Sequence, residues 1–238
     1  MKREILDRLL AAKAAATPAA LVTDLNSGLQ TLVFEDTLHG GFGLEPDLLD
    51  EVRRRIRQDR SGLLVDPQDE DGFRLFVHVH NPAMRLLIVG AVHIAQALAP
   101  VAALTGYDVT VIDPRGAFAT EARFPGVKLN HLWPDEALAE LKPDVRTAVV
   151  TLTHDPKLDD PALIAALRSP AFYVGALGSK RTHALRLDRL RDEGLSEAEV
   201  KRIRGPVGLS IGAVTPAEIA ISIMGQITCV RRGENHPC

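Results

Sequence analysis

The stretch LLIVGAVHIAQAL, Leu86 to Leu98, runs an apolar strand into a glycine turn and then into the first turns of a helix. In the GxGxxG pattern of a dinucleotide-binding turn, the three small positions fall on Gly90, Val92 and Ala95. Gly90 supplies the tight turn, and Ala95 is small enough for the helix to lie close to the strand. Val92 departs from the pattern: its methyl groups take up space that a closely approaching pyrophosphate would use. His93 stands in the first helical turn, where free N–H groups and the positive end of the dipole favour an anion. It is either a donor to a phosphate or substrate oxygen, or a surface histidine at a helix start.

Outward from this turn the chain alternates apolar strands with helices. Strands are expected at 86–90, 108–113, 147–153 and 172–177, with a weaker one near 127–130. Helices are expected near 93–104, 134–141, 161–168, 180–193, 197–204 and 216–231. Several helix starts carry their caps: Asp160 before Pro161, Ser196 with Glu199, and Thr215 with Pro216 and Glu218. The alternation marks βαβ units and a parallel sheet, so residues 83–238 read as a Rossmann-like α/β domain. Residues 1–82 read as a smaller α+β domain. It has an Ala-rich helix, two β-type runs about Asn26-Ser27-Gly28, a helix in PDLLDEVRRRIRQ, and strands in GLLVD and FRLFVHVH. His78 and His80 share one face of the last strand. That spacing suits a rim or a metal, but without further ligands nearby they read as solvent-facing strand residues.

Composition narrows the partners. The chain is 46% hydrophobic and 25% charged, with a formal net charge of -3, and it has no dense basic run of the kind that binds nucleic acid or an anionic membrane surface. VRRRIR at 52–57 reads as the solvated face of a helix. The first residues lack an unbroken apolar core for a secretory signal, and no apolar run is long enough for a membrane span. Cys229 and Cys238, the two cysteines, form neither a disulfide framework nor a metal knuckle, and Cys229 lies at core spacing on a helix. The expected setting is a reducing cytoplasm, with no protein-held metal.

In an open parallel sheet, ligands bind beyond the carboxyl ends of the strands, where strand order reverses. Four strand ends here carry polar or glycine-rich residues. Asp113 closes the second strand, 23 residues after Gly90, where a carboxylate either accepts hydrogen bonds from a ribose diol or caps the following turn. Thr153, His154 and Asp155 follow the third strand; His154 is either a general base held by a carboxylate or part of a binding rim. GALGSKR brings Gly178, Ser179, Lys180 and Arg181 to a helix start. Cations there oppose the dipole and so point to an anionic ligand. Gly208 and Gly212, in GPVGLSIGAVTPAEIA, belong to a loop that either closes over a ligand or simply connects two elements. His93, His154 and Asp155 are the catalytic candidates; the chain shows no convincing nucleophile set.

Together, the GxGHxxxxL-like turn, the strand ending in Asp113, THD, GSKR and GLSIGAVTPAEIA resemble the carboxyl-terminal domain of the XdhC/CoxI/CoxF family over roughly Met84 to Gly233. These are accessory proteins of molybdenum hydroxylases such as xanthine dehydrogenase and carbon monoxide dehydrogenase. The resemblance implies a maturation factor that binds a nucleotide or the molybdenum cofactor, a molybdopterin dinucleotide, and assists its insertion into a client enzyme. It also implies a homodimer. Family members usually carry a GGC motif and a later CGG-type motif, whose thiols suit a soft metal or a sulfur donor. Here Phe42 stands at the first cysteine position, in HGGFG, and the second motif is absent from DPQDEDGFRLFVHV. The chain is therefore expected to be a divergent member that works beside a complete paralogue. Two other readings compete: an NAD-dependent oxidoreductase, from Gly90 and Asp113, and a non-catalytic assembly scaffold.

Overall fold

The computed structural model describes residues 2–65 and 72–233. The chain divides into two compact units, Met1–Pro82 and Ala83–Cys238. Part of the stretch in which the second cysteine motif is absent, 66–71, lies outside the described residues, as does Cys238.

In the first unit, α1 (Arg3–Ala14) and α2 (Pro46–Arg57) accompany five antiparallel strands: β1 (Ala19–Asp24), β2 (Gln30–Val33), β3 (Leu38–Gly40), β4 (Gly62–Val65) and β5 (Arg74–His80), in the order β3-β2-β1-β5-β4. The turn between β1 and β2 forms because Asp24 accepts the Asn26 N–H and the Ser27 hydroxyl, while Gly28 takes a φ of 72°. Alternation along the strands gives the sheet two apolar faces. One face gathers Ala20, Val22, Val33, Leu75 and Val77 with Val52 and Ile56 of α2; the other gathers Ala19, Leu21 and Leu32 with Ile5 and Leu9 of α1.

Phe42 packs against the first of these clusters. Its backbone N–H donates to Thr31 Oγ1 and its carbonyl accepts from the same hydroxyl. The loop needs glycine just before it, because a Cβ on Gly40 would lie 2.3 Å from the Thr31 Cα.

His78 is exposed as expected, but His80 is half-buried, with ring centroids 4.0 Å apart. Burial, with His78 and Lys13 nearby, pushes the His80 imidazole down to about 4. The solvent-facing reading therefore holds for His78 alone. Among the described residues no group of three or more His, Cys, Asp or Glu is arranged to hold a metal ion.

The second unit contains β6 (Met84–Val89), α3 (His93–Leu104), β7 (Tyr107–Ile112), β8 (Lys128–Asn130), α4 (Pro134–Leu141), β9 (Thr147–Thr151), α5 (Pro156–Leu167), β10 (Tyr173–Ala176), α6 (Lys180–Asp192), α7 (Glu197–Val200), β11 (Ile203–Arg204) and α8 (Pro216–Arg232). All sheet pairings are parallel, in the order β11-β10-β9-β6-β7-β8. The chain starts at a central strand, builds outward to one edge, and returns to build toward the other. That is the doubly wound Rossmann order, with its switch point between β6 and β9.

Both faces are covered, so the central strands are apolar throughout. Leu86, Ile88, Val109, Val111 and Val150 pack under α3 and α8, and Leu87, Val89, Ile112, Val149 and Val174 pack under α4 and α5. Among the described residues no helix is long and apolar enough to cross a membrane.

Two helix boundaries differ from expectation. The helix expected from Pro161 begins at Pro156, capped by Asp155, and Pro161 lies inside it. Each Asp-Pro pair is a competent start signal, and the earlier one is used. The helix expected over 197–204 ends at Val200, because Ile203 and Arg204 pair with Val174 and Gly175 of β10. Cys229 is half-buried and is not a free thiol.

Candidate functional site

The switch point brings together the turns that follow β6, β7, β9 and β10. Gly90 takes a φ of 109°, and its N–H donates to the Ile112 carbonyl at 2.8 Å. A Cβ there would lie 2.6 Å from Thr153 Cγ2, so the absence of a side chain lets the turn after β6 lie against the end of β9. Val92 is the N-cap of α3, and no side chain caps the helix. The valine is half-buried and packs on the apolar cluster beneath. Its methyl groups fill core, and the open first turn of α3 carries the exposed His93.

Asp113 is fully buried. Its carboxylate accepts from Ala91 N–H at 2.8 Å, Arg115 N–H at 3.0 Å, Arg115 Nε at 2.9 Å and Arg115 Nη2 at 2.8 Å. A carboxylate offers about four lone-pair directions, and all are taken. Burial opposes ionisation, but the Arg115 fork and the Ala91 and Arg115 N–H groups outweigh it and hold the carboxyl below its ordinary value. The two expectations for Asp113 thus separate. It caps its own turn and ties it to the Gly90 turn, and in this conformation no lone pair faces a ribose. The group beside the crevice is the Arg115 guanidinium, 4.6 Å over the Phe118 ring, its side chain 38% exposed.

Beyond β9, Thr153 Oγ1 donates to Asp159 Oδ1 at 2.6 Å and accepts from Asp155 N–H at 3.0 Å. Asp155 caps α5 by accepting from Lys157 N–H at 3.0 Å, so this carboxylate is committed to a helix end, and of the two readings of His154 the one as a base held by Asp155 is not favoured. His154 is exposed and left-handed, with a φ of 61°, a conformation uncommon outside glycine. It lines a cavity with Asp159, Thr182, Leu185, Arg186 and Arg189.

Beyond β10, Gly178 makes the turn, Ser179 caps α6, and Thr182 completes a capping box not expected from the sequence. Lys180 and Arg181 are exposed on the first turn of α6.

The glycine loop before α8 is pinned rather than free. Gly208 donates to Gln226 Oε1 at 2.9 Å and its carbonyl accepts from Gln226 Nε2 at 3.2 Å; the Tyr173 hydroxyl donates to the same Oε1. A Cβ on Gly208 would come 2.1 Å from Ser222 Oγ. Gly208 therefore serves packing, and its backbone is not available to a ligand as expected. Gly212 is exposed, with a φ of 76° and open space around it.

Sequence reasoning misses Arg115, Phe118, Asp159 and Arg186. Arg115 stands in plain view in the PRG after Asp113. Asp159 is hidden because the pattern places the start of α5 five residues too late, which leaves it in a loop, and Arg186 then has no visible partner.

Residues 86–227 match the family model described as the XdhC Rossmann domain. The chain belongs to the XdhC family. It is 35% identical over 207 residues to the molybdenum cofactor insertion chaperone PaoD of Escherichia coli, covering 82% of this chain and 58% of that protein. To a probable xanthine dehydrogenase subunit of Bacillus subtilis it is 31% identical, over 82% of this chain and 56% of that protein. The chain thus spans little more than half the length of these XdhC relatives. A crystal structure described as a xanthine dehydrogenase from Bacillus halodurans superimposes with a TM-score of 0.74 at 26% identity, over 97% of this chain and 67% of that one.

The residues fit the molybdenum cofactor only in part. An uncapped α3 start, the exposed outer edge of the Arg115 guanidinium and the Lys180–Arg181 pair suit the phosphates of its nucleotide half. At the position where the resemblance places a thiol, Phe42 packs into core, so this residue gives the metal no ligand.

Proposed function

We propose that this XdhC-family chain assists the maturation of a molybdenum hydroxylase by binding a nucleotide, or the dinucleotide half of the molybdenum cofactor, beyond the carboxyl ends of β6, β7 and β10. The observation that carries this reading is the 35% identity to the cofactor insertion chaperone over 82% of the chain. The geometry adds support, since an open helix start follows β6 and cationic side chains follow β7 and β10. Gly90, Val92 and His93 form one wall, with Arg115 held over it by Asp113. Ser179, Lys180 and Arg181 stand at the next strand end but one.

When bound, the cofactor supplies the molybdenum chemistry of the client. This chain's residues hold phosphate and orient the ligand for transfer. His93 donates to an oxygen, and Arg115 contributes the outer N–H groups of its guanidinium that Asp113 does not take. A complete paralogue in the same assembly supplies the thiols that Phe42 replaces.

A nicotinamide-dependent oxidoreductase is disfavoured by the same Asp113, whose lone pairs are occupied. Thermal denaturation with cytidine diphosphate, cytidine triphosphate or the molybdopterin dinucleotide tests the proposal, because a ligand bound to the folded state raises the midpoint by mass action. A midpoint unmoved by all three, together with full client activity in cells lacking the protein, refutes it.

A further inference from the structure

Arg186 lies in the interior of α6 and is 4% exposed. Its Nη2 donates to the Leu177 carbonyl at 2.9 Å and stands 3.5 Å from Asp159 Oδ2, a long contact for an ion pair. Nε and Nη1 are buried and find no acceptor. A guanidinium carries five N–H donors, and charged donors left unpaired in the interior are costly.

Beside Arg186 lies a cavity of 110 Å³, lined also by His154, Pro156, Asp159, Thr182, Leu185 and Arg189. At ~30 Å³ per water this is room for about three or four waters, or for one small polyatomic ion. The first turns of α5 and α6 both reach it, through Pro156 and Thr182, so two helix dipoles present their positive ends to the same space.

We propose that this cavity is a site for a single tetrahedral oxyanion of the phosphate class, with Arg186 as its buried anchor and His154 at its mouth. The proposal stands on the geometry of this cavity, whether or not the Gly90 and Arg115 turns take a dinucleotide. Arg189 is held by Asp160 at 2.6 Å and contributes background charge. Asp159 shares the wall, with one oxygen taken by Thr153. Burial raises the pKa of its carboxyl, against the Thr153 hydrogen bond and the Arg186 charge. The left-handed backbone at His154 sets the imidazole at the opening instead of against Asp155.

Two sources supply this chemistry, a free inorganic anion or the terminal phosphate of a nucleotide. Isothermal titration of the full chain with inorganic phosphate at constant ionic strength is expected to show one site in the millimolar range or tighter. Arg186→Gln should weaken it at least about tenfold, and His154→Asp, which puts a like charge at the mouth, by a similar factor. His154 is exposed, so that variant decides the matter if Arg186→Gln does not fold. Displacement of phosphate by cytidine diphosphate but not by cytidine assigns the site to a nucleotide phosphate; saturable phosphate binding without such displacement assigns it to the free anion. No saturable binding, or equal affinity in the wild type and His154→Asp, overturns the proposal.

Discussion

Among the described residues of the second unit, two buried carboxylates each face an arginine, and they are built to opposite effect. Asp113 has every lone pair filled, and its partner Arg115 keeps 38% of its side chain in solvent. Asp159 meets Arg186 only at 3.5 Å, and that arginine is 4% exposed with two donor atoms unpaired. The first pair is a closed clasp that fixes two turns to each other. The second is an open valence inside the protein. Burial alone therefore does not distinguish a structural ion pair from a ligand site, whereas a count of satisfied donors does.

This contrast predicts different penalties. Asp159→Ala should cost about 3 to 4 kcal/mol, because Arg186 is left charged and enclosed with no carboxylate. Asp113→Ala should cost about 2 kcal/mol, since Arg115 can turn to water and the lasting loss is the buried acceptor for Ala91. Urea denaturation of both variants checks the order, and a larger loss for Asp113→Ala would reverse the comparison. Arg115→Ala takes two donors from the buried Asp113 and so lowers stability as well, while nucleotide binding weakens about tenfold, the scale of one charged contact. Titration with cytidine diphosphate measures it.

The smallest effect is in the pH profile. Asp113 has its pKa lowered in the fold, so its stabilisation is present above the ordinary 3.8 and is lost as pH falls through the folded value. Asp159 has its pKa raised, so its contribution is full below 3.8 and is lost as pH rises through the folded value. Melting midpoints from pH 3 to 7 should therefore change slope in opposite senses in Asp113→Asn and Asp159→Asn, relative to the wild type.

Much of this is legible in the sequence, and the reasons are local. Apolar runs such as LLIV and TAVV, each followed by a polar turn, carry the parallel sheet in their own composition. The Thr215 and Ser196 capping boxes form as read. The parts that are not legible depend on which partner each side chain meets in the fold. Nothing in Asp113 itself reveals that Arg115 folds back onto it, and the ambiguous Asp-Pro starts of α5 conceal Asp159. Arg186 sits among leucines in ALRLDRL, where a charged residue reads as a solvated helix face unless Asp159, 27 positions away, is already known to lie opposite it. Gly208 reads as a ligand-cradling glycine because its close neighbour, Ser222, belongs to the next helix.

At position 42 the main chain and the side chain are held by different things. Thr31 grips the backbone on both sides of the residue through its hydroxyl, while the phenyl ring merely fills space against the sheet. The loop is thus a preformed socket indifferent to what it displays. A Phe42→Cys exchange should keep the socket's shape, at a loss of about 2 to 3 kcal/mol of packing. Thiol titration would show whether a sulfur placed there is accessible.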